Sequence, residues 1–335
     1  MKTIVVLGSG GFIGNNLVHK LKSDPNNYVI GADLKKNEFR KQIEDEFILA
    51  DLRNKKSVEK VIPNNIDEIY QLAADMGGST YINTGEHDSD VMYNSSLINL
   101  NVLNRLREIV KNNKQIENNK TNKKIKVFYA SSACVYPEFN QLDPQNPKCA
   151  EDSTYPALPD SEYGWEKLFS ERLYKVFNKD FPQIEIRLGR FHNIYGPYGT
   201  YDGGKEKAPA AFCRKVANAK NNSEVEVYGD GKQTRSFLYI DECIEGILRF
   251  MESDFEGPLN IGSDEMISMN DFMNMIIKIS KKNLTIKNTE FHGTGVRGRN
   301  SDNRLIEEKL GWKPNYSLQE GISKTYKWIS DEINT

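Results

Sequence analysis

The chain has 335 residues, enough to bury a large hydrophobic core in one large domain or two moderate ones. Its formal net charge is −2, whereas proteins that bind nucleic acid or anionic membrane surfaces usually carry an excess of positive charge, so neither kind of partner is expected. Its four cysteines are widely spaced and form no CxxC pair, so neither a zinc site nor a disulfide framework is indicated. We therefore expect no bound metal. No apolar run approaches the length of a signal-peptide core or a membrane-spanning helix, so we expect a cytoplasmic protein.

The first fourteen residues, MKTIVVLGSGGFIG, predict a buried β-strand that runs into a glycine-rich turn and a helix over 15–21. In such a turn Gly8 permits the tight bend, Gly11 lets the backbone approach a pyrophosphate, and Gly14 lets the helix pack against the strand. A glycine triplet alone also occurs in ordinary α/β proteins. Its position between a strand and a helix favours a dinucleotide site.

A second predicted strand, 28–33, ends in Asp33, about 20 residues after the glycine turn. We expect this carboxylate to hold the adenosine ribose hydroxyls. Because it would repel a 2′-phosphate, the sequence favours NAD over NADP, although Lys35 and Lys36 lie close by and could weaken that preference.

Short apolar runs alternate with helical periodicity, which is typical of a parallel sheet flanked by helices. The pattern predicts a doubly wound α/β fold. Helices are expected over about 91–110 and 162–177, and an apolar stripe on each could face either the core or a second subunit. The Lys- and Asn-rich segment 111–124 is expected to be a solvated loop. The predicted strands are 4–7, 28–32, 47–49, 69–72, 127–130 and 186–188.

Glycine and proline become frequent after Arg190, and the predicted strands become short. This change predicts a smaller C-terminal α/β unit that covers the substrate. Because the segment 240–251 could return to the first sheet, we expect residues 1–188 plus about 237–256 to form the NAD-binding domain. Residues of about 189–236 plus 257–335 would then form the nucleotide-sugar-binding domain.

The candidate chemistry begins at Ser132, just beyond the predicted strand 127–130, because ligands of open α/β sheets bind at the carboxyl ends of strands. Tyr163 and Lys167 are four residues apart, so both can face one cleft from a helix. A lysine cation can lower the pKa of a tyrosine from about 10 towards neutrality. The phenolate could then take a proton from a substrate hydroxyl while a nicotinamide takes hydride.

These residues resemble the extended short-chain dehydrogenases/reductases, whose members act on nucleotide sugars. More narrowly, the chain is similar to the GDP-mannose 3,5-epimerase family over nearly its whole length. The blocks that carry this resemblance are 72–78, 131–139, 189–197, 206–215, 229–237, 260–266 and 295–303.

The resemblance places the oxidising group on Ser132, Tyr163 and Lys167, and the acid/base pair for epimerisation on Cys134 and Lys207. The chemistry is consistent, because a ketone at C4 of a hexose makes the protons on C3 and C5 acidic. A thiol with a pKa of about 8.5 and a desolvated lysine can both exchange protons near neutral pH.

The same resemblance implies the contacts with the two ligands. Arginine side chains are expected to chelate the diphosphate of the substrate, because the planar guanidinium matches it bidentately. The expected cofactor-binding residues are Gly8, Gly11, Phe12, Ile13, Gly14, Asp33, Asp51, Leu72, Ala73, Ala74, Tyr163 and Lys167. The expected substrate-binding residues are Gly77, Ser132, Asn193, Lys207, Arg235, Arg297 and Arg299.

The implied reaction oxidises C4 of GDP-mannose with NAD, epimerises C3 and C5, and returns the hydride. Its product would be GDP-L-galactose, with GDP-L-gulose as a second possible product, and the resemblance implies a homodimer. A 4-epimerase or a 4,6-dehydratase of the same fold is the alternative, and a dinucleotide-binding sensor without catalysis is a further one. The polar segment 79–90 departs from the family pattern and leaves the choice of sugar open.

Overall fold

The computed structural model describes residues 1–116, 123–290 and 295–335. Its strands are β1 Lys2–Leu7, β2 Asn27–Asp33, β3 Glu46–Leu49, β4 Glu68–Gln71, β5 Ile125–Ser132, β6 Ile184–Phe191, β7 Ile194–Tyr195, β8 Ser223–Tyr228, β9 Thr234–Ser236, β10 Leu238–Tyr239, β11 Leu259–Ile261, β12 Met266–Ser268, β13 Leu284–Thr289 and β14 Gly298–Arg299. Its helices are α1 Phe12–Leu21, α2 Lys55–Val61, α3 Ser79–Ile82, α4 Asp88–Ile116, α5 Glu162–Asp180, α6 Ala208–Asn218, α7 Ile240–Glu252, α8 Met269–Ser280, α9 Arg304–Leu310 and α10 Leu318–Ile333. Residues 117–122 of the expected 111–124 loop lie outside the described residues.

A seven-stranded parallel sheet forms the centre of the fold, in the order β11-β6-β5-β4-β1-β2-β3. This sheet confirms the predicted doubly wound α/β class. Its edge strand β11 pairs with β6, from Leu259 opposite Gly189 to Ile261 opposite Phe191. The sequence-based division assigns 257–335 entirely to the smaller unit. That assignment is wrong for β11, because this strand belongs to the large sheet. The other bounds of the division stay a prediction.

Both faces of the sheet are covered, and β1 shows how its sequence achieves this. Successive strand residues point to opposite faces, so Ile4 and Val6 enter one hydrophobic core while Val5 and Leu7 enter the other. Helices α1 and α7 cover the first face and pack against each other. Helices α4 and α5 cover the second face. The segment predicted to return to the large sheet is therefore helix α7.

The parallel arrangement brings the carboxyl ends of β1, β2, β4 and β5 to one edge of the sheet. A smaller unit faces that edge and is built from α6, α8 and α10 with two short sheets, β13-β8 and β12-β9-β14. The site described below lies between the two. Among the described helices, none combines the length and the apolar character that a membrane span requires.

Candidate active site

A cavity of about 960 Å³ lies between the carboxyl edge of the large sheet and the smaller unit. Such a volume lies at the upper end of the range for ligand pockets. All of the cofactor-binding, substrate-binding and catalytic residues predicted from the sequence line it, from Gly8 at one end to Arg297 at the other. The fold thus brings residues from distant parts of the chain into one site.

The glycine turn after β1 has a geometry that only glycine fits. Gly8 has a φ of +87°, in the left-handed region, and a Cβ atom on Gly14 would lie 2.1 Å from the carbonyl oxygen of Gly8. Helix α1 begins at Phe12 with Gly11 as its N-cap, so its first backbone N–H groups face the cavity without a side-chain cap. The turn and the helix end together suit the pyrophosphate of a dinucleotide.

Asp33, at the carboxyl end of β2, is oriented by the backbone around it. Its carboxylate accepts hydrogen bonds from Gly10 N at 3.0 Å and Lys35 N at 3.3 Å. Burial raises the pKa of Asp33, and these backbone N–H groups oppose that shift. Asp51 also faces the cavity, but its carboxylate is engaged by the Arg53 side chain, at 2.8 Å from Nη2.

Ser132, Tyr163 and Lys167 converge from β5 and α5. Ser132 is the N-cap of a short 3-10 turn, and its Oγ accepts a hydrogen bond from Cys134 N at 3.2 Å. Helix α5 places Tyr163 and Lys167 one turn apart, with the Lys167 Nζ 5.5 Å from the centre of the Tyr163 ring. Lys167 Nζ donates to the carbonyl oxygen of Ala130 at 3.3 Å.

The electrostatics of this group differ from the sequence-based expectation. Burial raises the pKa of Tyr163, with smaller contributions in the same direction from Cys134 and Glu166. The prediction that Lys167 brings the pKa of Tyr163 towards neutrality is therefore wrong for this arrangement. The physical reason is that Tyr163 is buried, and desolvation disfavours its phenolate more than the nearby positive charge of Lys167 favours it.

Cys134 and Lys207 line the cavity from the two parts of the structure. Lys207 precedes α6 as its N-cap residue, and the loop before it packs on the 76–78 turn: Gly78 N donates to Lys205 O at 3.1 Å. Lys207 is exposed by surface area and lines the cavity, and desolvation by the surrounding protein lowers its pKa, with Cys134 acting in the opposite direction.

Arg299 has a position that the sequence did not predict. Its Nη1 donates to the Cys134 Sγ at 3.1 Å, its Nε to Gln141 Oε1 at 2.6 Å, and its Nη2 to Asp160 Oδ2 at 3.0 Å. Only 9% of the Arg299 side chain is exposed. The guanidinium therefore supports the cysteine directly, and its predicted contact with the diphosphate would compete with these three hydrogen bonds.

The other two predicted arginines lie towards the smaller unit. Arg235 is half-buried and donates to the carbonyl oxygens of Thr234 and Val296 at 2.8 and 2.9 Å, and desolvation lowers its pKa to about 10. Arg297 is half-exposed and forms a bidentate pair with Asp230, at 3.0 and 2.9 Å. Although Arg297 and Arg299 are two residues apart, Arg297 pairs with Asp230 at the surface, whereas Arg299 contacts Cys134 and Asp160 in the interior.

Gly77 and Asn193 line the cavity between these groups. A Cβ on Gly77 would lie 2.6 Å from the Cβ of Tyr81, so the 76–78 turn packs tightly against α3. Asn193 has a φ of +47°, and its side chain donates to Ser236 O at 2.9 Å, which fixes the chain after β6.

The polar segment 79–90 contributes Tyr81, Ile82 and Asn83 to the lining of the cavity. The Tyr81 hydroxyl donates to Asp75 Oδ1 at 2.9 Å, and its ring stacks on His87 with 4.2 Å between the centroids. Lys205 places its ammonium 4.0 Å from the centre of the same ring. Sequence reasoning singled out this segment but missed the contact with Lys205, which is 124 positions away along the chain.

Comparisons with known proteins agree with this geometry. The "NAD dependent epimerase/dehydratase family" matches residues 4–262. The GDP-mannose 3,5-epimerase of Arabidopsis thaliana is 48% identical over 332 residues, covering 98% of this chain and 82% of that protein. GDP-mannose 3,5-epimerase 1 of Oryza sativa subsp. indica is 48% identical over 334 residues, with the same coverage.

Solved structures agree on the fold. UDP-glucuronic acid 4-epimerase from Bacillus cereus, in complex with UDP-glucuronic acid and NAD, has a TM-score of 0.80 and 25% identity, covering 98% of this chain and 99% of that one. UDP-glucose 4-epimerase from Thermotoga maritima has the same TM-score with 22% identity, covering 99% of both chains. The predicted NAD cofactor is confirmed by the family, and the glycine turn, α1 and Asp33 fit it. The chain belongs to the NAD dependent epimerase/dehydratase family, and within that family it belongs with the GDP-mannose 3,5-epimerases.

Proposed function

We propose that this enzyme epimerises GDP-mannose at C3 and C5 through a transient 4-keto sugar, giving GDP-L-galactose, with GDP-L-gulose as the product of inversion at C5 alone. One observation carries the proposal: Cys134 and Lys207 line the same cavity as Ser132, Tyr163 and Lys167. A simple 4-epimerase has no use for that second pair. The 48% identity to GDP-mannose 3,5-epimerases supports the same choice of substrate.

In the redox step, Tyr163 takes the proton of the O4 hydroxyl, and Ser132 holds that oxygen by hydrogen bonding. Bound NAD supplies the hydride acceptor at C4 and later the donor to the same carbon. Lys167 provides a positive charge close to the tyrosine and to the ribose end of the cofactor site. Because burial raises the pKa of Tyr163, the phenolate that takes this proton depends on the positive charge of Lys167, whose Nζ lies 5.5 Å from the ring centre.

In the epimerisation step, the C4 carbonyl acidifies the neighbouring C–H bonds, and one residue removes the proton while the other donates from the opposite face. The lowered pKa of Lys207 makes its neutral form, which can act as a base, more available than that of an ordinary surface lysine. Cys134 has its sulfur held by the Arg299 N–H at 3.1 Å, so its direction towards the ring is fixed. The ring then needs to turn over or shift between C3 and C5, since the same pair serves both centres.

The nucleotide end of the substrate lies towards the smaller unit in this proposal. Arg235 and Arg297 line that part of the cavity, and guanidinium groups favour a diphosphate. Arg235 keeps its charge despite its partial burial, because its pKa of about 10 lies well above neutral pH.

The enzyme acts as a cytoplasmic homodimer in this proposal. Large apolar side chains are exposed on α4 and α5, which pack against each other: Tyr93 and Leu100 are one to two turns apart on α4, and Trp165 and Phe169 are one turn apart on α5. A second copy bringing the same two helices would bury both stripes in an isologous contact. Light scattering after size exclusion should give twice the chain mass, and Leu100→Lys should give a monomer; a monomeric wild-type protein would contradict the dimer.

The function is tested by incubating the enzyme with GDP-mannose and NAD in deuterated water and following the sugar by NMR. Deuterium should enter C3 and C5, together with new sugar isomers. Cys134→Ala and Lys207→Met should each abolish this exchange while retaining affinity for NAD. Absence of exchange at both carbons in the wild-type enzyme would overturn the proposal and leave a 4-epimerase or dehydratase of another nucleotide sugar.

A further inference from the structure

A buried carboxylate that the proposed reaction does not use lies directly beside Lys167. Glu166 is completely buried in the packing between α4 and α5. Its Oε1 accepts hydrogen bonds from Ser170 Oγ at 2.7 Å and Asn99 Nδ2 at 3.2 Å. Its Oε2 accepts none from the part of the chain that the structure describes, and it lies 3.8 Å from the Lys167 Nζ. One oxygen of Glu166 is therefore fixed, and the other is left to the ammonium.

The fixed oxygen belongs to a polar network inside the core. Asn99 Oδ1 accepts from Gln71 Nε2 at 2.9 Å and from Tyr174 OH at 3.1 Å. Gln71 in turn bonds both to the carbonyl oxygen of Ala73, at 3.0 Å, and to its N–H, at 3.2 Å. Ala73 lines the cavity at the carboxyl end of β4, so the network ties Glu166 to the cofactor edge of the sheet.

A buried carboxylate costs free energy unless it is paired, so its retention in this position needs an explanation. The ionisable groups that face it are Lys167 on its own helix, Tyr129 on β5, and Tyr163 and Tyr174 on α5. Lys167 is the cation among these described neighbours. Burial lowers the pKa of Lys167, and Glu166 is the largest influence that opposes this shift.

We propose that Glu166 is a positioning residue that holds the Lys167 ammonium in place and keeps it charged for the redox step. The proposal rests on the proposed function only in giving that charge a use. Without Glu166, Lys167 would keep the carbonyl oxygen of Ala130 at 3.3 Å and the Tyr129 hydroxyl at 3.5 Å, both neutral acceptors. A neutral amine there would no longer favour the deprotonated form of Tyr163 or attract the ribose oxygens.

The first measurement is made without substrate, so that it is independent of the sugar specificity. The enzyme is labelled with ¹³C at the lysine Cε, and the Lys167 signal is assigned by its loss in Lys167→Arg. Its titration is followed in the wild-type enzyme, in Glu166→Gln, in Glu166→Asp, and in Ser170→Ala, which loses a network hydrogen bond but keeps the carboxylate. Thermal unfolding of each variant reports on folding.

Glu166→Gln should lower the titration midpoint of Lys167 by about 1–3 pH units, as expected for the loss of an opposite charge at this range. Glu166→Asp should restore most of the shift, and Ser170→Ala should leave the midpoint within about half a unit of wild type. With GDP-mannose, the alkaline limb of kcat should move down in pH by the same amount in Glu166→Gln. KM should stay nearly constant.

An unchanged Lys167 midpoint in a folded Glu166→Gln enzyme would overturn the proposal. If that variant does not fold, Glu166→Met, an apolar side chain of similar length, decides: a Lys167 midpoint lowered by about one pH unit or more supports the proposal, and an unchanged midpoint contradicts it. Failure of the wild-type enzyme to turn over GDP-mannose would contradict the proposed function alone, because the titration of Lys167 is measured without it.

Discussion

Arg299 donates hydrogen bonds both to Cys134 and to the buried Asp160, so Arg299→Met should lower both the epimerisation activity and the stability of the fold. The substitution removes the N–H donor at 3.1 Å from Cys134 and leaves Asp160 buried, with its Oδ2 unpaired and its Oδ1 already without a partner. Breaking a buried ion pair by removing one partner costs about 3–5 kcal/mol. Because unfolding entropy is about 2.1 cal/mol/K per residue, the 335 residues give about 0.7 kcal/mol/K. The melting temperature should therefore fall by about 4–7 °C.

Calorimetry of a double-mutant cycle tests this reasoning. Asp160→Asn in the Arg299→Met background removes the stranded charge and should recover at least half of the lost stability. In Arg299→Met and in the double variant, deuterium exchange at C5 should stay at least about tenfold slower than in the wild type. Both variants lack the hydrogen bond from Arg299 to Cys134, and a hydrogen bond from a charged donor contributes about 1.5–3 kcal/mol. A melting temperature within 1 °C of wild type in Arg299→Met, or full exchange activity, would refute the role of this contact.

Three further predictions concern the backbone turns and the core. Gly14→Ala puts a Cβ 2.1 Å from the Gly8 carbonyl oxygen, so we expect a loss of about 1–3 kcal/mol of stability and at least tenfold weaker NAD binding by titration calorimetry; unchanged binding would contradict the turn geometry. Gly78→Ala puts a Cβ 2.3 Å from the backbone before Lys207, and should reduce deuterium exchange while NAD affinity stays within twofold; equal losses of both would argue against a local effect. His192 has its pKa lowered by burial to about 3, below its unfolded value of 6.5, so the unfolded state binds the proton first. Denaturant titrations should therefore show wild-type stability falling by about 1.4 kcal/mol per pH unit from this group as the pH drops below 6.5, a slope that His192→Gln should reduce.

The sequence was informative where local patterns determine structure. The glycine spacing 8–11–14 requires a particular turn, and short apolar runs of three to five residues mark buried strands, so six of the seven sheet strands were found. Strand β11, Leu259–Ile261, was missed because Asn260 interrupts its apolar run, and its pairing with β6 is set by tertiary packing. The start of α1 at Phe12 rather than 15 reflects the helix forming directly at the glycine turn.

The sequence predicted which residues line the site but not how their charges interact. Resemblance to a family gave the residues that line the cavity, including Cys134 and Lys207. It could not give the contact of Arg299 with Cys134, which joins positions 165 apart, nor the pairing of Lys167 with Glu166. Both depend on which charges burial brings together, and burial is a property of the folded chain. For the same reason the pKa of Tyr163 was expected in the wrong direction.

The central claim is that transient oxidation of C4 to a ketone makes the protons on C3 and C5 acidic enough to exchange. It is tested most directly with GDP-mannose carrying deuterium at C4, incubated with the enzyme in ordinary water and followed by NMR. The account predicts products that keep deuterium at C4, with C5 or both C3 and C5 inverted, because the same hydride returns to the same carbon. Loss of the C4 deuterium to solvent, or inversion at C4 with C3 and C5 unchanged, would contradict it.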